Sequence, residues 1–241
     1  MVQAFMNWSG GKDSSLSLYR VLQDKHYQVG SLVTNVNAVH NRISMHGVRR
    51  ELLDAQAQAL HIPLETVEIP EEPTMEEYEA ATAGKIASLK KAGYTHAIFG
   101  DIFLEDLKNY REKKLQEQQI TCVFPIWKLS TAELIKEFIG LGFKAIIVCV
   151  NESQLDKSFC GRFLDESFLR DLPATVDPCG ENGEYHSFVF EGPIFHKPIS
   201  IKKGGIVHRT YRAPEEQGDL NHPKRQILSY GFYFCDLYIS Q

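Results

Sequence analysis

Ser9, Gly10, Gly11, Lys12, Asp13 and Ser14 are consecutive, and they stand where a short apolar run gives way to an amphipathic stretch. In a strand-loop-helix context of that kind, free backbone N–H groups and the positive end of a helix form an anion site. Two adjacent glycines let the backbone approach phosphate oxygens closely. Lys12 adds a point charge, Ser9 and Ser14 offer hydroxyls, and Asp13 is suited to a magnesium ion. A bare glycine pair would be only a tight turn, whereas the whole set of residue types points to phosphate binding. The first glycine of Gly-x-x-x-x-Gly-Lys-Ser/Thr is missing, and the pattern is not Gly-x-Gly-x-x-Gly, so neither a Walker A loop nor a dinucleotide fold is indicated.

Three other blocks carry polar chemistry. Phe99-Gly100-Asp101-Ile102 ends an apolar run, the place where open parallel sheets present ligand-binding groups. Asn109, Tyr110 and Arg111 follow on the next helical stretch. Residues 177–188 then gather acids, an amide, an imidazole and glycines in one segment that includes Glu181, Asn182, Glu184 and His186. Taken alone, Glu-Asn-Gly is also good turn chemistry.

The hexapeptide at residues 9–14 closely resembles the signature of the PP-loop ATP pyrophosphatases. Gly180-Glu181-Asn182-Gly183-Glu184-Tyr185-His186-Ser187 resembles the Gly-Glu-Asn-Gly-Glu-(Phe/Tyr)-His-Thr signature of the diphthine-ammonia ligase family. The likeness runs from Trp8 to about Phe195. It implies an ATP-dependent amide ligase that adenylates a carboxylate and lets ammonia displace AMP. The acceptor would be diphthine on elongation factor 2 or another carboxylate-bearing molecule. Ser9, Gly10, Gly11, Lys12, Asp13 and Ser14 would hold ATP and its magnesium, with Gly100 and Asp101 near the nucleotide. Glu181, Asn182, Glu184, Tyr110 and Arg111 would face the substrate. Glu184 or His186 would take a proton from incoming ammonium, with Lys12 the third catalytic group.

One block departs from the pattern. Archaeal and eukaryotic members carry Ser-Asp-Tyr-Gln-Arg-x-Arg-Val-Glu where this chain has residues 103–112, and only the tyrosine-arginine element and some acids are kept. That difference bears on the acceptor more than on the reaction. Two other readings belong to different classes: a PP-loop sulfur or nitrogen transferase acting on tRNA, and an ATP-binding regulator without turnover.

The elements that must position these groups follow from periodicity. Apolar runs at 3–8, 29–36, 63–69, 96–99 and 120–124 predict five strands, and the stretches 14–24, 47–60, 74–92 and 104–117 predict helices between them. Alternation of that kind predicts an α/β fold: a parallel five-stranded sheet with helices on both faces, of the PP-loop type that the resemblance implies. Thr74 and Glu77 have capping-box spacing, so the acidic run at 70–77 reads as a helix start and not as a cation site. After Pro125 come a helix at 131–141, a strand at 145–150, and segments at 186–190, 199–201, 206–211 and 231–239 that read as antiparallel strands of a smaller α+β region. The expected division is residues 1–125 for nucleotide binding and 126–241 for the substrate side.

Composition excludes several classes. A net charge of −5 gives no general attraction to nucleic acid or anionic lipid. Five cysteines without a Cys-x-x-Cys pair argue against a disulfide framework or zinc ribbon and fit a reducing, cytoplasmic setting. No apolar run is long enough to cross a bilayer. A homo-oligomer is compatible with all of this. His40 and His46 read as surface histidines, with His46 in reach of the nucleotide, and Cys179 as a small packed residue. Trp8 and Trp127 read as core or cleft-wall aromatics.

Overall fold

The computed structural model of the chain describes residues 1–43, 46–71, 73–212 and 229–240. β1 (Val2–Asn7) opens the chain with Ala4, Phe5 and Met6 wholly buried, as expected of a strand covered on both faces. It leads through the glycine turn into α1 (Lys12–Asp24). β2 (Tyr27–Asn37), the short β3 (Arg42–Ile43), α2 (Arg50–Leu60), β4 (Leu64–Ile69), α3 (Met75–Lys91), β5 (His96–Ile98), α4 (Glu105–Gln116) and β6 (Thr121–Val123) follow. β4, β2, β1, β5 and β6 lie side by side, and every pair among them is parallel. These are the five expected strands. β3 is an unforeseen antiparallel addition to the end of β2, and two residues are too few to leave a periodic signal.

Helices cover both faces. α3 and α4 enclose a core of Phe5, Val33, Val67, Ile86, Leu89, Ala97 and Leu115, and the Thr74–Glu77 capping box is formed at the start of α3. α1 and α2 pack on the opposite face, where Leu16, Leu18, Leu52 and Leu53 join a larger core shared with the second half of the chain.

In that half, α5 (Thr131–Gly140) starts at Ser130, whose hydroxyl accepts from the Glu133 amide, and α6 (Glu166–Asp171) starts at Asp165 in the same way. β7 (Lys144–Asn151), β8 (Tyr185–Glu191), β9 (Ile201–Arg212) and β10 (Ser229–Ile239) form an antiparallel sheet in the order β8-β7-β10-β9. Of the two strands expected at 199–201 and 206–211, the second lies within β9, which begins at Ile201, and residues 199–200 precede it outside any strand. The halves are tied by Asp236 of β10, which accepts from Arg42 at 2.9 Å and from Arg49 at 3.0 and 2.7 Å. Arg49 also lies 4.4 Å over the Tyr238 ring. Among the described residues no helix is long and apolar enough to cross a membrane, and all five cysteines are free thiols.

Candidate functional site

The chain leaves β1 toward β2 and β4, then returns to the other side of β1 with β5 and β6. The loops after β1 and β5 therefore diverge in opposite directions, which opens a crevice at the carboxyl ends of those strands. Ser9–Ser14 and Gly100–Asp101 meet there. A Cβ on Gly100 would stand 2.9 Å from the Ser14 amide nitrogen and 3.0 Å from the Asp13 carbonyl carbon, so only glycine lets the two loops touch.

The glycine turn is fixed by side chains from afar. Gly10 has φ +76°, a region L-residues avoid, and its carbonyl accepts from Gln56 Nε2 at 3.0 Å and from the Val189 amide at 2.9 Å. The Gln56 carboxamide, fully buried, also accepts from Trp8 Nε1 at 2.8 Å and donates to the Val189 carbonyl at 2.7 Å. The Ser14 and Ser15 hydroxyls both donate to the Gly11 carbonyl. The Gly11 amide donates to Ser9 Oγ and the Lys12 amide to Ser187 Oγ. Among the described residues, no other residue offers an acceptor to the amides of Asp13 and Ser14. They are the first-turn donors that a helix leaves open, and with the helix dipole they suit an anion.

Lys12 is buried, with Nζ 2.7 Å from Asp13 Oδ2 and 5.2 Å from the centre of the Tyr185 ring. Burial disfavours its charge, but Asp13, Tyr185 and Cys179 more than offset that, so the ammonium is held above its ordinary range. Asp101 lies 3.2 Å from Arg111, and burial pushes its carboxyl up despite that neighbour. Arg111 also lies 4.4 Å over Phe99.

Residues 177–187 wrap the other side. Glu184, 2% exposed, accepts from the Asp177 amide at 3.0 Å, the Asn182 amide at 2.8 Å and Asn182 Nδ2 at 3.1 Å. Glu181 Oε1 accepts from the Ile102 amide at 3.0 Å and so fastens this loop to the Gly100–Asp101 turn. Burial, and then the Asp13 charge, push the Glu181 carboxyl up to about 7. Burial pushes the Cys179 thiol up to about 12, as befits a packed residue.

The structure thus brings Ser9–Ser14, Gly100, Asp101, Arg111 and Glu181 to one crevice. Glu184 faces into its own loop. Tyr110 stands apart: its hydroxyl donates to Glu79 Oε1 at 3.0 Å on α3. His40 is an exposed partner of Glu71, as its reading as a surface histidine has it. His46 is half-buried and not free at the surface. Its ring stacks on His186 at 4.3 Å, and its Cε1 is 3.6 Å from where a Cβ on Gly11 would be. Gln56, Asp177, Tyr185 and Ser187 carry much of the geometry without having been singled out, and of these only the last three sat in a segment whose composition could have flagged them.

A parallel sheet that reverses beside an open helix N-terminus, with that N-terminus walled by a second sheet, defines an α/β protein with a glycine loop at its switch point. The diphthamide synthase N-terminal domain model matches residues 2–121 and the diphthamide synthase C-terminal domain model matches residues 130–214. A diphthine-ammonia ligase of Homo sapiens is 24% identical over 222 residues, covering 83% of this chain and 82% of the relative. One of Danio rerio is 27% identical over 214 residues, covering 80% and 84%. The chain belongs to the diphthine-ammonia ligase family.

Proposed function

We propose that this chain is an ATP-dependent amide ligase that works in the cytoplasm on a carboxylate-bearing acceptor, with ammonium as nitrogen source. The observation that carries this reading is the first turn of α1, where the open amides of Asp13 and Ser14, beside Lys12 and against Gly100, present donors to a polyphosphate. In the proposed reaction an acceptor carboxylate oxygen bonds to the α-phosphorus as the bond to the departing pyrophosphate breaks. Ammonium first gives a proton to water; the ammonia lone pair then forms the C–N bond while the C–O bond to AMP breaks, and the nitrogen sheds a second proton to water. The first-turn amides and Lys12 hold charge on the leaving group. Arg111, anchored by Phe99 and Asp101, faces the crevice from α4 and suits an acceptor carboxylate. The relatives named above support this direction, and the altered 103–112 segment leaves the acceptor as diphthine or another molecule.

The residues fit a divalent cation shared with phosphate oxygens. Asp101 Oδ2 is buried, its ion-pair partner being Arg111 at 3.2 Å without hydrogen-bond geometry, and Asp101 and Glu181 are both pushed up by burial and acidic neighbours. Magnesium commonly uses one or two carboxylates plus phosphate oxygens. Asp13 and Asp101 would hold it, and it would neutralise charge on pyrophosphate. Glu184 already accepts three hydrogen bonds from its own loop, so its part is to shape that loop.

The test is AMP and pyrophosphate formation from ATP, magnesium and ammonium in the presence of acceptors fractionated from cell extract. Lys12→Ala should lower the rate by about 100-fold or more while circular dichroism stays unchanged. A folded variant with full activity would refute the phosphate role of Lys12. Failure of the wild type to form pyrophosphate with every acceptor fraction would instead favour an ATP-binding regulator.

A further inference from the structure

His46 and His186 reach the phosphate loop from different halves of the molecule. His46 precedes Gly47 in the turn between β3 and α2, and His186 is the second residue of β8. Their rings stack with centroids 4.3 Å apart and planes 20° apart, and His46 Cε1 lies against Gly11. His46 Nδ1 is buried and meets no hydrogen-bond partner among the described residues. A buried, unpaired ring nitrogen is unfavourable unless something completes it. Lys12 of α1 is the charged group that faces both rings.

Two stacked imidazoles at this distance cannot both be charged, because like charges so close repel strongly. Burial and then Lys12 push His186 down to about 4, and burial, His186 and Lys12 depress His46 well below its ordinary range. With nothing on the loop, both rings are neutral at pH 7. A polyphosphate on the first turn of α1 reverses the sign of the local field, and only one ring can then take a proton.

We propose that the stacked His46–His186 pair is a switchable cation of the phosphate site, neutral while the loop is empty and carrying one proton, on one of the two rings, when a polyphosphate is seated. The proton comes from water and no other bond changes. The pair thereby adds positive charge beside Lys12 only when there is an anion to meet it. This inference rests on the reading of the loop as a polyphosphate site.

Histidine labelled with ¹³C at Cε1 in the wild-type protein gives a direct readout by NMR, with His46→Gln and His186→Gln used only to assign the two signals. The probe is magnesium α,β-methylene-ATP at saturation, its binding followed independently by calorimetry. On binding, the titration midpoint of one of the two rings should rise by at least about one pH unit, a tenfold gain in proton affinity, while the other ring remains neutral. Binding with both midpoints unmoved would overturn the inference and leave the phosphate site standing. Absence of any binding heat and any shift at Gly10 and Gly11 amides would overturn both.

Discussion

At the scale of single residues, the crevice holds more buried acid than its fixed cations neutralise. Glu181, pushed up to about 7, is the clearest instance. Its folded value lies above its unfolded one, so the folded state binds this proton more tightly. The stability tied to it is fully present below the unfolded value of about 4.3 and is lost as pH rises through about 7. Glu181→Gln keeps an acceptor for the Ile102 amide and removes the charge. The variant should be more stable than wild type by about 1–2 kcal/mol near pH 8, a figure reduced for residual solvent contact, and should lose most of that advantage by about pH 4. Thermal melts at the two pH values check this, and an equal difference at both would refute it. The phosphate loop was legible in the sequence because its chemistry is contiguous. Tyr110 and Arg111 show where contiguity misleads: neighbours on a helix point about 100° apart, so only one of them can face the crevice. Gln56 was illegible for another reason, since its partners Trp8 and Val189 lie 48 and 133 residues away in sequence.

Among elements, β8 has the most to do with the site. It sits at the edge of the second sheet, and Ser187 and Val189 meet the glycine turn of the first. α2 completes the join through Gln56. Gln56→Leu keeps the volume and strands the Trp8 N–H and the Val189 carbonyl. A loss of about 2–4 kcal/mol in urea unfolding is expected, and a loss below about 1 kcal/mol would mean that the join does not depend on the carboxamide. The five parallel strands could be read from apolar runs because both of their faces are buried. β9 was read as two pieces because Gly204 and Gly205 interrupt its pattern. In the folded chain a Cβ on Gly204 would stand 2.5 Å from the Tyr238 ring, next to the register shift in β10, so the interruption is a packing requirement within one strand. α6, six residues long, is too short for helical periodicity to show.

For the molecule as a whole, the two sheets share one hydrophobic core and are pinned at the rim by Asp236 with Arg42 and Arg49. Hydrogen bonds from these guanidinium groups hold the Asp236 carboxyl well below the usual range, although burial acts in the opposite sense. Its contribution is therefore in force above the unfolded value of about 3.9 and fades as pH falls through the folded one. Asp236→Asn should lower stability by about 1–2 kcal/mol at neutral pH, and the gap should close in acid. Chemical denaturation across that range measures it, and a gap independent of pH would show that charge is not what the clasp uses. The order β8-β7-β10-β9 was not visible in the sequence, because strand neighbours in an antiparallel sheet depend on contacts that no local pattern encodes. The meeting of β8 with the glycine turn has a further consequence. The floor that would cradle a ligand is assembled from both halves of the chain, so a fragment cut between the sheets, or a hybrid grafted there from a distant cousin, inherits half a mould and must rebuild the seam before it can grip anything.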